Sequence, residues 1–234
     1  MSEKIPLLID TDPGVDDALA LLMAFHSDAH EVVGLTIAAG NVGLEHTVRN
    51  ALKLREVVGR PDVPVFPGCS GPLVHVPRED AAHVHGRDGF GDIGYPEPAG
   101  TAADEHAALA ILRLSHVHAG RLVLVALGPL TNIAEAFRRA PDIIGRVQQI
   151  VLMGGAYFEV GNITPSAEFN IYVDPEAAAE VFAAGVPLVV MPLDVTHKAL
   201  TDRAWVEAMR ALPGRCGPVV AGWTDFFERF DTAK

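Results

Sequence analysis

Four acids stand close together near the start of the chain, Asp10, Asp12, Asp16 and Asp17, in the stretch Ile9-Asp10-Thr11-Asp12-Pro13-Gly14-Val15-Asp16-Asp17-Ala18. Like charges at this range repel, and removal from water makes their ionisation costlier still. The positive end of a helix offers an acid only about 0.3–1 kcal/mol at an exposed terminus, too little to hold four carboxylates ionised. The pattern therefore points to a bound cation, and an all-oxygen ligand set to a hard one, calcium or magnesium. The plainer alternative has Asp16 and Asp17 capping a helix while Asp10 and Asp12 are solvated. Four acids around one Pro-Gly turn favour the cation. Beside carboxylates such an ion can orient hydroxyls, lower the pKa of a water and stabilise charge. A carboxylate next to that water is a candidate general base.

The elements that must position these acids follow from the apolar pattern. Ile5 to Ile9 reads as a short buried strand, Pro13-Gly14 as a turn, and Ala18 to Phe25 as a buried helix. Strands and helices then alternate. Strands are expected over 32–38, 63–66, 122–127, 149–153 and 188–191. Helices are expected over 44–58, 106–118, up to about 139, from Asp174-Pro175-Glu176 to near Gly185, and near 202–212 and 219–230. Residues 67–98 and 156–170 read as irregular, and the first of these is long enough to suggest a functional loop. The alternation implies βαβ units: an α/β fold with an open, mainly parallel sheet flanked by helices, in a single domain over 1–234. Nearly every expected strand ends in polar residues or glycine: Asp10–Asp12, Asn41, Gly128, Gly154-Gly155 and Asp194–His197. Open parallel sheets bind ligands outside the carboxyl ends of their strands, so these positions are expected to form one rim.

Composition excludes several classes. The 234 residues carry a net charge of −12, unsuited to a nucleic-acid partner, which needs clustered Lys and Arg. Cys69 and Cys216 give neither a disulfide framework nor a zinc pattern. No apolar run is long enough to span a membrane, and the N-terminus lacks a signal-peptide core. The expectation is a cytoplasmic protein. There is no phosphate-cradling Gly-x-Gly-x-x-Gly or Gly-x-x-x-x-Gly-Lys and no Gly-x-Ser-x-Gly elbow. Asn41, Asn162, Glu168 and Asn170 offer the hydrogen bonds a polyol needs. Read from its residues, the chain is a metal-dependent hydrolase of a small, polar, sugar-like substrate.

The same residues resemble the nucleoside hydrolases, which cleave ribonucleosides to ribose and free base. Asp10 to Ala18 is similar to that family's N-terminal signature. Ala39-Gly40-Asn41, His83-Val84-His85-Gly86, Gly128-Pro129-Leu130-Thr131-Asn132, Val151 to Tyr157, Ala167-Glu168-Phe169-Asn170 and Asp174-Pro175-Glu176-Ala177 follow in family order. The resemblance implies calcium held by Asp12, Asp17 and the backbone carbonyl of Leu127, with Asp10 beside them ordering the calcium-bound water. It implies Asp12 as general base. Asp16, Asn41, Asn162, Glu168 and Asn170 would hold the ribose hydroxyls, with His85 and Met153 near the base or sugar. It further implies a homodimer or homotetramer.

One departure accompanies the match. The family carries a His-Asp pair beyond the helices that end this sequence, the Asp a further calcium ligand and the His an acid for the leaving base. The sequence stops at Lys234, before any such pair. Truncation is the expectation; a shortened member that binds nucleoside or ribose without turnover is the alternative. A haloacid dehalogenase-like phosphohydrolase also begins with a strand and Asp-x-Asp, but no later lysine and acidic pair matches it.

Overall fold

A computed structural model describes residues 3–74 and 80–231, with side chains as far as 226. Residues 1–2, 75–79 (part of the expected 67–98 loop) and 232–234 lie outside that description. The elements, in chain order, are β1 (Ile5–Thr11), α1 (Val15–Phe25), β2 (His30–Ile37), α2 (Leu44–Val57), β3 (Val65–Pro67), α3 (Ala82–His85), α4 (Ala107–Val117), β4 (Leu122–Ala126), α5 (Thr131–Arg139), β5 (Val147–Met153), α6 (Phe169–Val173), α7 (Pro175–Ala183), β6 (Leu188–Met191), α8 (Leu193–Thr196), α9 (Arg203–Ala211) and α10 (Cys216–Asp231). A short 3-10 turn, Pro141–Gly145, joins α5 to β5.

All six strands run parallel in the order β3-β2-β1-β4-β5-β6. A parallel sheet must be covered on both faces, and side chains alternating along β1 show how. Leu8 packs with Leu124, Ile111, Ile133, Ile150 and Val181 on the face covered by α4, α5 and α7. Leu7 and Ile9 pack with Leu21, Leu35, Leu54 and Trp223 on the face covered by α1, α2 and α10. Chain order reverses between β1 and β4, so the connections after those strands leave on opposite faces and a crevice opens at their carboxyl ends. The acids of residues 10–17 lie at that crevice.

The strands and longer helices stand where apolar periodicity places them. The differences are local. The first helix starts at Val15, three residues early, because the Asp17 carboxylate accepts the Gly14 N–H at 2.9 Å and caps that end. The last helix starts at Cys216 despite Gly217 and Pro218. A proline in the first turn forfeits no intrahelical bond there. The expected loop over 67–98 contains α3, and α6 begins at the end of the expected irregular stretch over 156–170. Among the described residues no helix is long and apolar enough to cross a membrane.

Candidate active site

β1 delivers Asp10 to the sheet's carboxyl edge, where it is buried. One carboxylate oxygen, Oδ2, accepts from Thr36 Oγ1 of β2 at 2.6 Å and from Asn132 Nδ2 of α5 at 3.0 Å. Oδ1 is buried without a hydrogen-bond partner. Asp12 follows on the turn. Its Oδ2 accepts the Asn41 backbone N–H at 2.7 Å, and its Oδ1 is likewise buried and unpartnered. Two glycines make room for this carboxylate. A Cβ at Gly40 would stand 2.0 Å from Asp12 Oδ2, and one at Gly128 would stand 2.3 Å from Oδ1. The glycines after β2 and β4 are thus required by the close approach of one side chain.

Asp17, in the first turn of α1, accepts from Thr11 Oγ1 at 3.1 Å, Gly14 N at 2.9 Å and Asn41 Nδ2 at 3.0 Å. Asn41 Nδ2 also donates to the Asp12 carbonyl at 3.1 Å. One asparagine therefore ties the turn, Asp12 and Asp17 together. The charge balance of this nest is poor. Burial pushes Asp10 up to about 7. Burial, reinforced by the neighbouring Asp16 charge, pushes Asp17 up to about 7 as well. Asp12 is raised well above the ordinary carboxylate value, first by burial and then by Asp17. Neutral donors offset part of this; no Lys or Arg side chain is hydrogen-bonded to these three carboxylates in the contacts above.

The opposite wall is built by β4, β5 and α6. Asn170 Nδ2 donates to the carbonyls of Leu127 at 2.8 Å and Met153 at 3.1 Å and lies 3.4 Å from Met153 Sδ. Glu168 caps α6 by accepting from Asn170 N and Ile171 N, and also accepts from Gly155 N. Burial still raises its pKa. His85, at the end of α3, is buried; its Nδ1 accepts the Val15 N–H at 3.3 Å and lies 3.8 Å from the exposed Asp16 carboxylate. Burial lowers its pKa, against the pull of Asp16.

The structure thus links Asp12, Asp17 and Asn41 directly, and joins Leu127, Met153, Glu168 and Asn170 in a second network. Asn162 stands apart: it is exposed, and its Oδ1 accepts from Phe169 N at 2.8 Å, closing its own loop. The expected rim narrows at its far end too. Asp194 accepts the backbone N–H groups of Tyr157 and Phe158, and His197 pairs with Glu159, so both serve the 157–159 loop. Thr36 and Asn132, which hold Asp10, were not singled out from sequence. A threonine inside a β-branched strand carries no signal of its own, whereas Asn132 in the Gly-Pro-Leu-Thr-Asn segment could have been suspected.

The chemistry of the donors is that of a hard cation: two buried, unpartnered carboxylate oxygens within a surplus of negative charge. Among the described residues no three His, Cys, Asp or Glu side chains group as a complete metal cage. The family description of the inosine-uridine preferring nucleoside hydrolases matches residues 7–234.

The chain belongs to the nucleoside hydrolase family.

It is 45% identical over 191 residues to uridine nucleosidase 1 of Arabidopsis thaliana, covering 81% of this chain and 56% of that protein. It is 41% identical over 228 residues to the pyrimidine-specific ribonucleoside hydrolase RihA of Salmonella enteritidis, covering 97% and 72% respectively. Among solved structures, the purine-preferring ribonucleoside hydrolase of Gardnerella vaginalis superposes with a TM-score of 0.94 at 37% identity, covering 97% of this chain and 73% of that one. The α/β fold, with its six-stranded parallel sheet, is that of the nucleoside hydrolases, and family membership replaces the phosphohydrolase alternative. Members of this family are hydrolases of N-glycosyl compounds.

Proposed function

We propose that this nucleoside hydrolase binds a pyrimidine ribonucleoside, uridine first, and hydrolyses its N-glycosidic bond with Asp12 as general base. The observation that carries the reading is the pair of buried, unpartnered oxygens on Asp10 and Asp12 at the topological switch point of the sheet. The names of the Arabidopsis and Salmonella relatives support the pyrimidine preference.

Asp10, Asp12, Asp17 and the Leu127 carbonyl are the groups that would hold calcium, with water or substrate oxygens completing its shell. When bound, such an ion supplies fixed positive charge and makes a nearby water more acidic. Asp12 Oδ1, held by its Oδ2 bond to Asn41, would take the proton from the attacking water. That water's oxygen forms a bond to C1′ of the ribose as the C1′–N bond breaks and the pair of electrons leaves with the base. Asp16, Asn41, Glu168 and Asn170 would orient the ribose hydroxyls, and Asn162, whose Oδ1 is engaged by Phe169 N, would offer its Nδ2. His85 and Met153 would border the base or sugar. The two-carboxylate scheme of ordinary glycosidases does not apply in this reading, because the cation and the sugar clamp would take the place of the second carboxylate.

Reducing-sugar release from uridine and from inosine, with and without a calcium chelator, tests this reading. Chelator-sensitive release that Asp12→Ala abolishes is expected, with uridine preferred. Nucleoside binding without release would instead favour a non-catalytic binding member, and release indifferent to Asp12→Ala would overturn the assignment of the base.

A further inference from the structure

Asn50 lies on α2, outside the nest of acids, and is 1% exposed. Its single side-chain nitrogen donates to two carbonyls on two separate segments. One is Pro13, in the turn between Asp12 and Asp16, at 3.2 Å; the other is Asp88, just after α3, at 2.8 Å. A primary amide has two N–H bonds, so both acceptors can be served at once. The Asp88 segment is the one that holds His85. Gly91 N donates to the His85 carbonyl at 2.7 Å, and Asp88 Oδ1 accepts from Phe90 N at 2.7 Å and Asp92 N at 3.0 Å. Phe90, fully buried, packs at a tilt against Trp223 of α10 with ring centroids 4.9 Å apart. Gly89 completes the fit: its φ is +77°, and a Cβ there would stand 2.8 Å from Asn50 Nδ2 and 2.9 Å from Val42 Cγ2.

We propose that Asn50 is a positioning residue whose amide locks the aspartate turn to the histidine-bearing segment. Nothing else described above joins the carbonyl of the Pro-Gly turn to residues 86–92. The contact it protects is the one between Val15 N and His85 Nδ1, which fixes Nδ1 as the acceptor and so leaves the ring proton on Nε2. It also sets the distance between His85 and Asp16. Two carbonyls left without their donor, that of Pro13 buried and that of Asp88 partly so, would drift toward other partners or water, and the segments that carry them would lose their common register. The catalytic part of this proposal rests on the nucleoside-hydrolysing reading; the structural part does not.

The test uses Asn50→Leu, which keeps the volume and removes both donors, and Gly89→Ala, which presses on the same clamp from the other segment. Ser115→Ala is the control. Ser115 is also fully buried, and its hydroxyl bonds Leu112 O and Arg146 Nε at the opposite edge of the sheet. Each protein is checked for folding and studied well below its Tm. The expected result is that both clamp variants shift the 15N resonances of the His85 imidazole and speed exchange of the Val15 amide about tenfold. Both should lower kcat on uridine about tenfold or more, while Ser115→Ala alters neither signal nor kcat. If Asn50→Leu does not fold, Gly89→Ala alone decides. Unchanged His85 and Val15 signals in a folded clamp variant would overturn the proposal. So would altered signals with wild-type kcat. An unmodified protein that releases no sugar would instead count against the nucleoside-hydrolysing reading, while the resonances and amide exchange still decide the clamp.

Discussion

Asp12 and Asn41 are joined twice across the carboxyl ends of β1 and β2: Asn41 N donates to Asp12 Oδ2 at 2.7 Å, and Asn41 Nδ2 donates to the Asp12 carbonyl at 3.1 Å. These two contacts fix which oxygen of Asp12 is occupied and which, Oδ1, is left buried and unpartnered beside Gly128. A base held this way has little freedom to rotate, which favours proton transfer in one direction.

Replacing that base should separate stability from activity. Asp12→Asn keeps the shape and removes one buried charge from a crowd of three. In chelator at pH 8 its Tm is expected to exceed that of the unmodified protein, since an uncompensated buried charge is costly. Uridine hydrolysis with calcium present is expected to fall about 10²–10⁴-fold. A lower Tm for Asp12→Asn in chelator would show that the charge is compensated in the metal-free protein.

The pH dependence of stability follows from the raised carboxyls. Asp10 and Asp17 are pushed from 3.8 to about 7, and Asp12 is raised well above 3.8, in each case chiefly by burial. Between those values the folded chain holds protons that the unfolded chain has released. Their contribution is therefore fully present below about pH 4 and is lost as pH rises through about 7. Urea midpoints in chelator should be lower at pH 8 than at pH 5.5, the reverse of a protein whose acids are salt-bridged, and calcium should reduce the difference. A midpoint in chelator that climbs from pH 5.5 to 8 would contradict the charge balance drawn for this nest.

Space around Asp12 gives a third expectation. Gly128→Ala places a methyl 2.3 Å from Asp12 Oδ1, so the carboxylate must move. A displacement near 1 Å in such a site costs about 10²-fold in rate. Gly145→Ala, where an added Cβ meets nothing within 4 Å, should leave rate and midpoint nearly unchanged. Equal activities for the two variants would show that Asp12 tolerates displacement.

Asp174 should matter for stability. It is fully buried, and its carboxylate accepts from Leu73 N at 2.9 Å and Thr131 Oγ1 at 2.6 Å while capping α7 through Ala177 N at 3.0 Å. Asp174→Ala strands these donors and is expected to cost about 2–4 kcal/mol in urea unfolding. Thr131→Val, which removes one donor and leaves the cap, should cost roughly half as much or less. A loss below 1 kcal/mol for Asp174→Ala would mean that those donors find other acceptors.

The sequence made the architecture legible because β1, β2, β4 and β5 are apolar runs that end in acids or glycine, and because their alternation with helices allows little besides a parallel sheet. The aspartate turn was legible for the same reason: four carboxylates in so short a space require an explanation. What stayed hidden depends on contacts between distant segments. Thr36 looks like any β-branched strand residue until it is seen to donate to Asp10. Asn50 looks like a polar helix position until Pro13 and Asp88 converge on it. Asn162 reads as a sugar ligand by type and by resemblance, and only the fold shows that its side-chain oxygen also closes a loop on Phe169. The short α6 is set by the Glu168 cap, and α3 and α8, four residues each, are too short for periodicity to show them.

Asp10 and Asn132 are hydrogen-bonded although 122 residues separate them in the chain. That bond needs β1 and β4 side by side, a pairing that skips over β2 and β3. Closing so long a loop carries an entropic cost, and the nest of acids cannot be complete until β1 and β4 have paired. A ligand that recognises it has nothing to hold until the centre of the sheet has zipped. Its binding would then leave the rate of folding nearly untouched and act almost wholly by slowing unfolding.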